Sequence, residues 1–132
     1  MKIVVTGGAG FIGSHLVDRL IMEGHEAVVV DNLVTGKRRN INRSARFYKM
    51  DIQSWRLERV FRNERPNVVM HLAAQMDVRK SVENPMFDAQ VNVLGTLNVL
   101  QQAVTHGVRK VIFSSSGGAI YGEQETYPAP ET

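Results

Sequence analysis

The stretch Val-Val-Thr-Gly-Gly-Ala-Gly-Phe-Ile-Gly-Ser-His-Leu, residues 4–16, constrains the fold more than any other part of the chain. It leaves a β-branched run, Lys2 to Thr6, and passes glycines at positions 7, 10 and 13. It then enters a segment, Phe11 to Glu23, whose apolar Phe11, Ile12, Leu16 and Leu20 recur at helical spacing. Strand, glycine turn and helix in that order open a β-α-β unit. Gly24 stops the helix, and Ala27-Val28-Val29-Val30 reads as a second strand buried on both faces, as parallel strands are. In such a turn Gly7 permits the tight reversal and Gly10 lets the backbone approach a pyrophosphate. Gly13 lets the helix pack against the strand, and the phosphate sits on the helix N-terminal amides. Asp31 ends the second strand 18 residues after Gly13, near the spacing expected of a carboxylate that holds an adenosine ribose. Its charge would repel a ribose 2′-phosphate, which favours NAD over NADP; Arg38 or Arg39 is the cation that would favour the reverse. A P-loop is excluded, because no Gly-Lys-Ser/Thr follows the glycines.

The alternation continues down the chain. A strand is expected near Arg46–Met50, a helix near Ser54–Arg62, a strand at Asn67–Met70, a helix near Phe87–His106 and a strand at Lys110–Phe113, with Asn84-Pro85 marking a break before the long helix. Strands alternating with helices imply right-handed crossovers and a parallel α/β sheet of the doubly wound, Rossmann type. The expected strand order is 3-2-1-4-5, which leaves Val111-Ile112-Phe113 on an edge. A chain of 132 residues suffices for one domain and is too short for a cofactor domain plus a separate substrate domain.

Composition removes other classes. With 43% hydrophobic and 22% charged residues the chain should fold around a core. No apolar run approaches the roughly 20 residues of a membrane helix, and Met1-Lys2 leads directly into a strand, so a cytoplasmic protein with no membrane partner is expected. There is no cysteine, and the four histidines (His15, His25, His71, His106) are scattered, so no metal site is expected. The net charge of +3 is spread along the chain apart from Lys37-Arg38-Arg39, which reads as a solvated loop rather than a nucleic-acid contact.

Six segments in order, TGGAGFIGSH, DNLVTGKRRNI, Asp51-Ile52, HLAAQMDVRKSVENP, VNVLGTLNVL and FSSSGGAIYGE, resemble the extended short-chain dehydrogenases, specifically the NAD-dependent nucleotide-sugar epimerases and dehydratases. The resemblance covers the whole chain. The Asp-Asn-Leu loop with Thr35-Gly36-Lys37, and the segment Gln75–Ser81, are most similar to the 4-epimerases that interconvert UDP-glucose and UDP-galactose through a 4-keto sugar. The related 4,6-dehydratases usually differ at the second segment and are the alternative. The resemblance implies NAD as cofactor, with Gly7, Gly10, Phe11, Ile12 and Gly13 forming the pyrophosphate turn. Asp31 and Asn32 would hold the adenosine ribose, within a loop continued by Thr35 and Gly36, and Asp51 and Ile52 would flank the adenine. Leu72, Ala73, Ala74 and Gln75 would line the nicotinamide side with Ser114, and Asn92 would brace that loop from the long helix. Ser116 would donate to the sugar oxygen that becomes a carbonyl. Gly117-Gly118-Ala119-Ile120 is one residue longer than in many relatives, so Ser115 is the other candidate. His71 reads as a hydrogen-bonded structural residue.

That chemistry also needs a tyrosinate with a lysine four residues on, to take the sugar hydroxyl proton. Tyr48 is followed at that spacing by Ile52, Tyr121 by Glu125 and Tyr127 by Glu131. In the family the tyrosine lies beyond an acidic, proline-containing loop that Glu123–Thr132 resembles. Residues 1–132 therefore read as an incomplete NAD-binding domain without the C-terminal substrate domain, inactive alone. The intact protein would take UDP-glucose or UDP-galactose and pair as a homodimer through two long helices, of which Phe87–His106 is one. A stand-alone NAD-binding module without catalysis is the alternative.

Overall fold

In the computed structural model, which describes residues 1–116, 120–123, 126–128 and 130, the expected strand segments become five strands. These are β1 (Lys2–Thr6), β2 (Glu26–Asp31), β3 (Arg46–Lys49), β4 (Val68–His71) and β5 (Lys110–Phe113). They form one parallel sheet in the order β3-β2-β1-β4-β5, as the alternation implied. The helices are α1 (Phe11–Met22), α2 (Leu57–Glu64), α3 (Val78–Glu83), α4 (Pro85–Ala89) and α5 (Thr96–Thr105), with a π-helical turn at Gln90–Gly95 between the last two.

Alternate side chains of the central strands feed two cores. Ile3, Val5, Ala27 and Val29 pack against Val17 and Leu20 of α1 on one face. Val4, Val28, Val30 and Val69 pack on the other against Leu57, Val60 and Phe61 of α2 and Val99 and Ala103 of α5. Thr6 is in register with Val30 on one side and His71 on the other, so the ends of β1, β2 and β4 lie side by side. The strand order reverses direction at β1, and the crevice beyond these ends is where open α/β sheets bind ligands.

Three local departures from the sequence reading have visible causes. The second helix begins at Leu57 rather than Ser54, because the Ser54 hydroxyl accepts from the Arg56 amide at 3.2 Å and its carbonyl from the Leu57 amide at 3.0 Å, making a turn. Helix α3 was not anticipated; the Asp77 carboxylate caps it by accepting from the Arg79 amide at 3.0 Å. The long helix starts at Pro85, where the Asn84 side chain accepts from the Phe87 amide at 3.0 Å, and is interrupted by the π turn. Its outer side carries Phe87, Val93, Leu94, Leu97, Leu100 and Val104, which are 39–78% exposed.

At the sheet end away from the crevice the buried Glu64 carboxylate accepts from Lys2 Nζ at 3.2 Å, from Arg46 Nη1 at 2.7 and 2.9 Å, and from the Tyr48 hydroxyl. Burial alone would push its pKa up. The hydrogen bonds from Arg46, Tyr48 and Lys2 and the charge of Arg46 outweigh this and hold it below the usual carboxylate range. One side chain thus fastens α2 to β1 and β3.

Candidate functional site

The glycine turn is packed backbone on backbone. Gly7 has φ +72°, a left-handed conformation that side chains disfavour, and its amide donates to the Val30 carbonyl at 2.9 Å. A Cβ on Gly7 would lie 2.9 Å from the Ala73 nitrogen, and one on Gly13 would lie 2.2 Å from the Gly7 carbonyl oxygen. The start of α1, the end of β1 and the loop after β4 therefore meet without room for a methyl group. Gly10, the N-cap, brings no side chain to the first-turn amides of α1. Those amides have no carbonyl one turn earlier to bond and form the positive end of the helix, a site for an anion. Phe11 and Ile12 stand beside them, 79% and 66% exposed.

A cavity of about 460 Å³ opens from this turn across the strand ends. Gly7, Gly10, Phe11, Ile12 and Gly13 form one wall, and Asp31, Asn32, Thr35, Asp51 and Ile52 another. The Asp31 carboxylate is buried and accepts from the Ala9 amide at 3.0 Å and the Leu33 amide at 2.8 Å. Asp51 accepts from the Asn32 side chain at 2.8 Å and from the Gln53 amide at 2.9 Å. Gly36 does not line the cavity and lies against Asp31 instead. Met50 and Val91 do line it and were not anticipated; both reach it only through the strand order and the packing of the long helix, which no local motif encodes.

A second cavity, of about 690 Å³, holds Gln75, Asn92 and Ser114–Ser116. The two cavities share Leu72, Ala73, Ala74, Met76 and Ser114, so they adjoin at the loop after β4. That loop is held from the π turn by a reciprocal pair: the Gln75 amide donates to the Asn92 side-chain oxygen at 2.8 Å, and the Asn92 side chain donates to the Gln75 carbonyl at 2.8 Å. Asp88 accepts from both side chains, at 2.9 and 3.1 Å. A π turn shifts the residues after it around the helix, and such turns recur at functional sites. The segment 117–119, on which the choice between Ser115 and Ser116 rests, lies outside the described residues, as do residues 124, 125, 129, 131 and 132 of the acidic loop.

Beneath the loop after β4, Thr6 and His71 make a defined relay. The Thr6 hydroxyl oxygen accepts from the Leu72 and Ala73 amides, each at 3.2 Å. With both acceptor positions used, its proton goes to His71 Nδ1 at 2.6 Å. His71 Nε2 must then carry the ring proton, which it donates to the Thr96 hydroxyl at 3.0 Å. Burial lowers the His71 pKa and keeps the ring in this neutral form. His71 thus has the hydrogen-bonded structural role that the sequence suggested, whereas Thr6 and Thr96, its partners, carry no motif that marks them. Among the described residues no group of three or more potential metal-ligating side chains occurs, and no helix is long and apolar enough to cross a membrane.

Residues 3–132 match the model of the NAD dependent epimerase/dehydratase family. The chain belongs to this family. Among solved members, the UDP-glucose 4-epimerase of Thermotoga maritima, determined with UDP-glucose, is 52% identical with a TM-score of 0.91; the match covers 99% of this chain and 43% of that one. The UDP-glucose 4-epimerase of Thermus thermophilus, determined with NAD, is 50% identical with a TM-score of 0.92 and the same coverages. A UDP-glucose 4-epimerase of Mycolicibacterium smegmatis is 45% identical over 136 residues, covering 99% of this chain and 44% of the relative. The chain thus spans about two-fifths of the length of these epimerases. The epimerase/dehydratase family uses NAD, and the first cavity fits such a cofactor in three independent respects. It has a backbone cradle that a Cβ would fill, first-turn helix amides that no side chain caps, and a carboxylate at the end of β2.

Proposed function

We propose that this chain supplies the NAD-binding part of a UDP-glucose 4-epimerase. The observation that carries this reading is the shared wall, Leu72-Ala73-Ala74, between the cavity of the glycine turn and the cavity of the serines. When bound, NAD supplies the hydride acceptor. The amides of α1 hold its pyrophosphate, Asp31 accepts from the adenosine ribose hydroxyls, and Asp51 accepts from the adenine amine. Ala73 and Ala74 leave room for the nicotinamide, the Thr6–His71 relay fixes the Leu72 and Ala73 amides, and the Gln75–Asn92 pair holds the loop's far end. The hydroxyl of Ser116, or of Ser115, donates to the sugar oxygen that becomes a carbonyl.

Calorimetric titration tests the reading. NAD is expected to bind, more tightly than NADP, because the Asp31 carboxylate repels a 2′-phosphate. Absence of any heat at millimolar NAD would overturn the cofactor assignment, and tighter binding of NADP would overturn the role of Asp31.

The pairing of this chain with a second copy is also proposed here. Two apolar surfaces support it: the outer side of α4–α5, and β5, where Ile112 and Phe113 are 41% and 57% exposed at the edge of the sheet. An edge strand presents unpaired backbone groups, and β5 carries a charge only at Lys110. Light scattering across a concentration series is expected to show association. Leu97→Glu on the helix and Ile112→Lys on the strand should each reduce it, with circular dichroism confirming that the variants are folded. A wild-type chain that stays monomeric at hundreds of micromolar would refute the proposal.

A further inference from the structure

The loop after β2 is fastened to the glycine turn through one residue that touches neither cavity's contents. Ala9 is fully buried. Its amide donates to Asp31 Oδ2 at 3.0 Å, while its carbonyl accepts from the Lys37 amide at 3.0 Å and from the Asn40 side-chain amide at 3.0 Å. Gly36 sits in the space between. A Cβ there would lie 2.8 Å from Asp31 Oδ1, 3.0 Å from Asp31 Oδ2 and 2.9 Å from the Ala9 Cβ. Below the loop, Asn42 donates to Asp18 of α1 at 2.7 Å, and Arg38 stacks over Phe47 of β3 with its guanidinium carbon 5.2 Å from the ring centre.

We infer that Gly36 and Asn40 are positioning residues that set the Asp31 carboxylate for the adenosine ribose and so contribute to the preference for NAD over NADP. Neither residue lines either cavity, so each acts through Asp31. Gly36 allows the loop to close against the carboxylate from behind. Asn40 holds the loop in that closed position by occupying the carbonyl of the same residue whose amide orients Asp31. With both oxygens held by backbone donors, Asp31 cannot swing away from a 2′-phosphate, and Arg38 is kept on Phe47 rather than turned toward one. This inference rests on the NAD-binding reading above.

The test compares wild type with Gly36→Ala, Asn40→Ala and Asn40→Asp in the 132-residue chain. Asn40→Asp keeps the side chain's shape but exchanges its donor for a charge, and Asn40→Ala removes the donor without adding one, so a loss shared by both variants reports the hydrogen bond. Each variant is expected to weaken NAD binding about three- to ten-fold, the effect of one lost or displaced hydrogen bond, and to lower the ratio of NAD to NADP affinity. In the Asn40 variants without nucleotide, the Lys37 amide should exchange with solvent faster while the melting temperature changes little, a local opening that a general loss of stability would not produce. If Asn40→Asp and Gly36→Ala bind NAD as wild type does, with an unchanged NAD-to-NADP ratio, the latch has no positioning role. If wild type itself binds no NAD, the cofactor reading fails instead, and the ribose role falls with it.

Discussion

Alanine in place of Gly13 is expected to abolish measurable NAD binding and to lower the melting temperature by roughly 5–15 °C, from an overpacking cost of about 1–3 kcal/mol. The added Cβ would lie 2.2 Å from the Gly7 carbonyl oxygen, 2.8 Å from the Gly8 Cα and 2.9 Å from the Gly7 carbonyl carbon. All three are backbone atoms, so no flexible side chain can yield and the first turn of α1 must move off the glycine turn. That movement displaces the amides proposed to hold the pyrophosphate. Gly24→Ala is the matching control: Gly24 has φ +78° but nothing within 4 Å of a Cβ, so it should lose stability through backbone strain and keep its NAD affinity. Thermal melts and calorimetry on both variants decide the matter. A Gly13→Ala chain that binds NAD within two-fold of wild type would show that the close approach is irrelevant to the cofactor.

The parts of this fold legible in the sequence are those in which local pattern and tertiary burial coincide. The valines of β1 and β2 are buried on both faces, so their continuous apolar runs report the parallel sheet directly, and the strand order is the one expected of this doubly wound fold type. Helix α3 was missed because none of its residues is buried, which leaves no apolar period to read. The π turn was missed for a different reason: it lies within one continuous helical apolar pattern and no local residue marks it, although Gly95 packs so close to Ile52 that a Cβ would lie 2.7 Å from its Cδ1. In the site, the residues found from motifs lie in the glycine turn, in the loops after β2, β3, β4 and β5, and at Asn92 of the π turn. Thr6 and Thr96, which no motif marked, act through His71 across long separations in the chain. Thr6 meets His71 from 65 residues away, and His71 meets Thr96 from 25. Gly36 belongs to a recognisable loop, yet its position behind Asp31 rather than in the cavity depends on how the loop folds back on Ala9.

No epimerisation of UDP-glucose or UDP-galactose is expected from these 132 residues by themselves. Loss of a general base alone typically costs about 10²–10⁴-fold. None of the three tyrosines has a lysine four residues on to stabilise its anion. Tyr48 is further disqualified by its surroundings. It lies on β3, where its hydroxyl donates to Glu64 at the sheet end away from the crevice. Burial raises its pKa, and the hydrogen bond to Glu64 and that carboxylate's charge raise it further, so it is held away from the tyrosinate form that the reaction requires. Retention of NAD binding without turnover is therefore the expected combination, read by calorimetry alongside a coupled assay on both UDP-sugars. The same assay on a longer chain that carries Tyr-x-x-x-Lys beyond Thr132 should show activity. Turnover by the 132 residues at an ordinary enzyme's rate would mean that another group takes the proton. Its disappearance in Tyr121→Phe would then assign that part to the tyrosine following the serine segment.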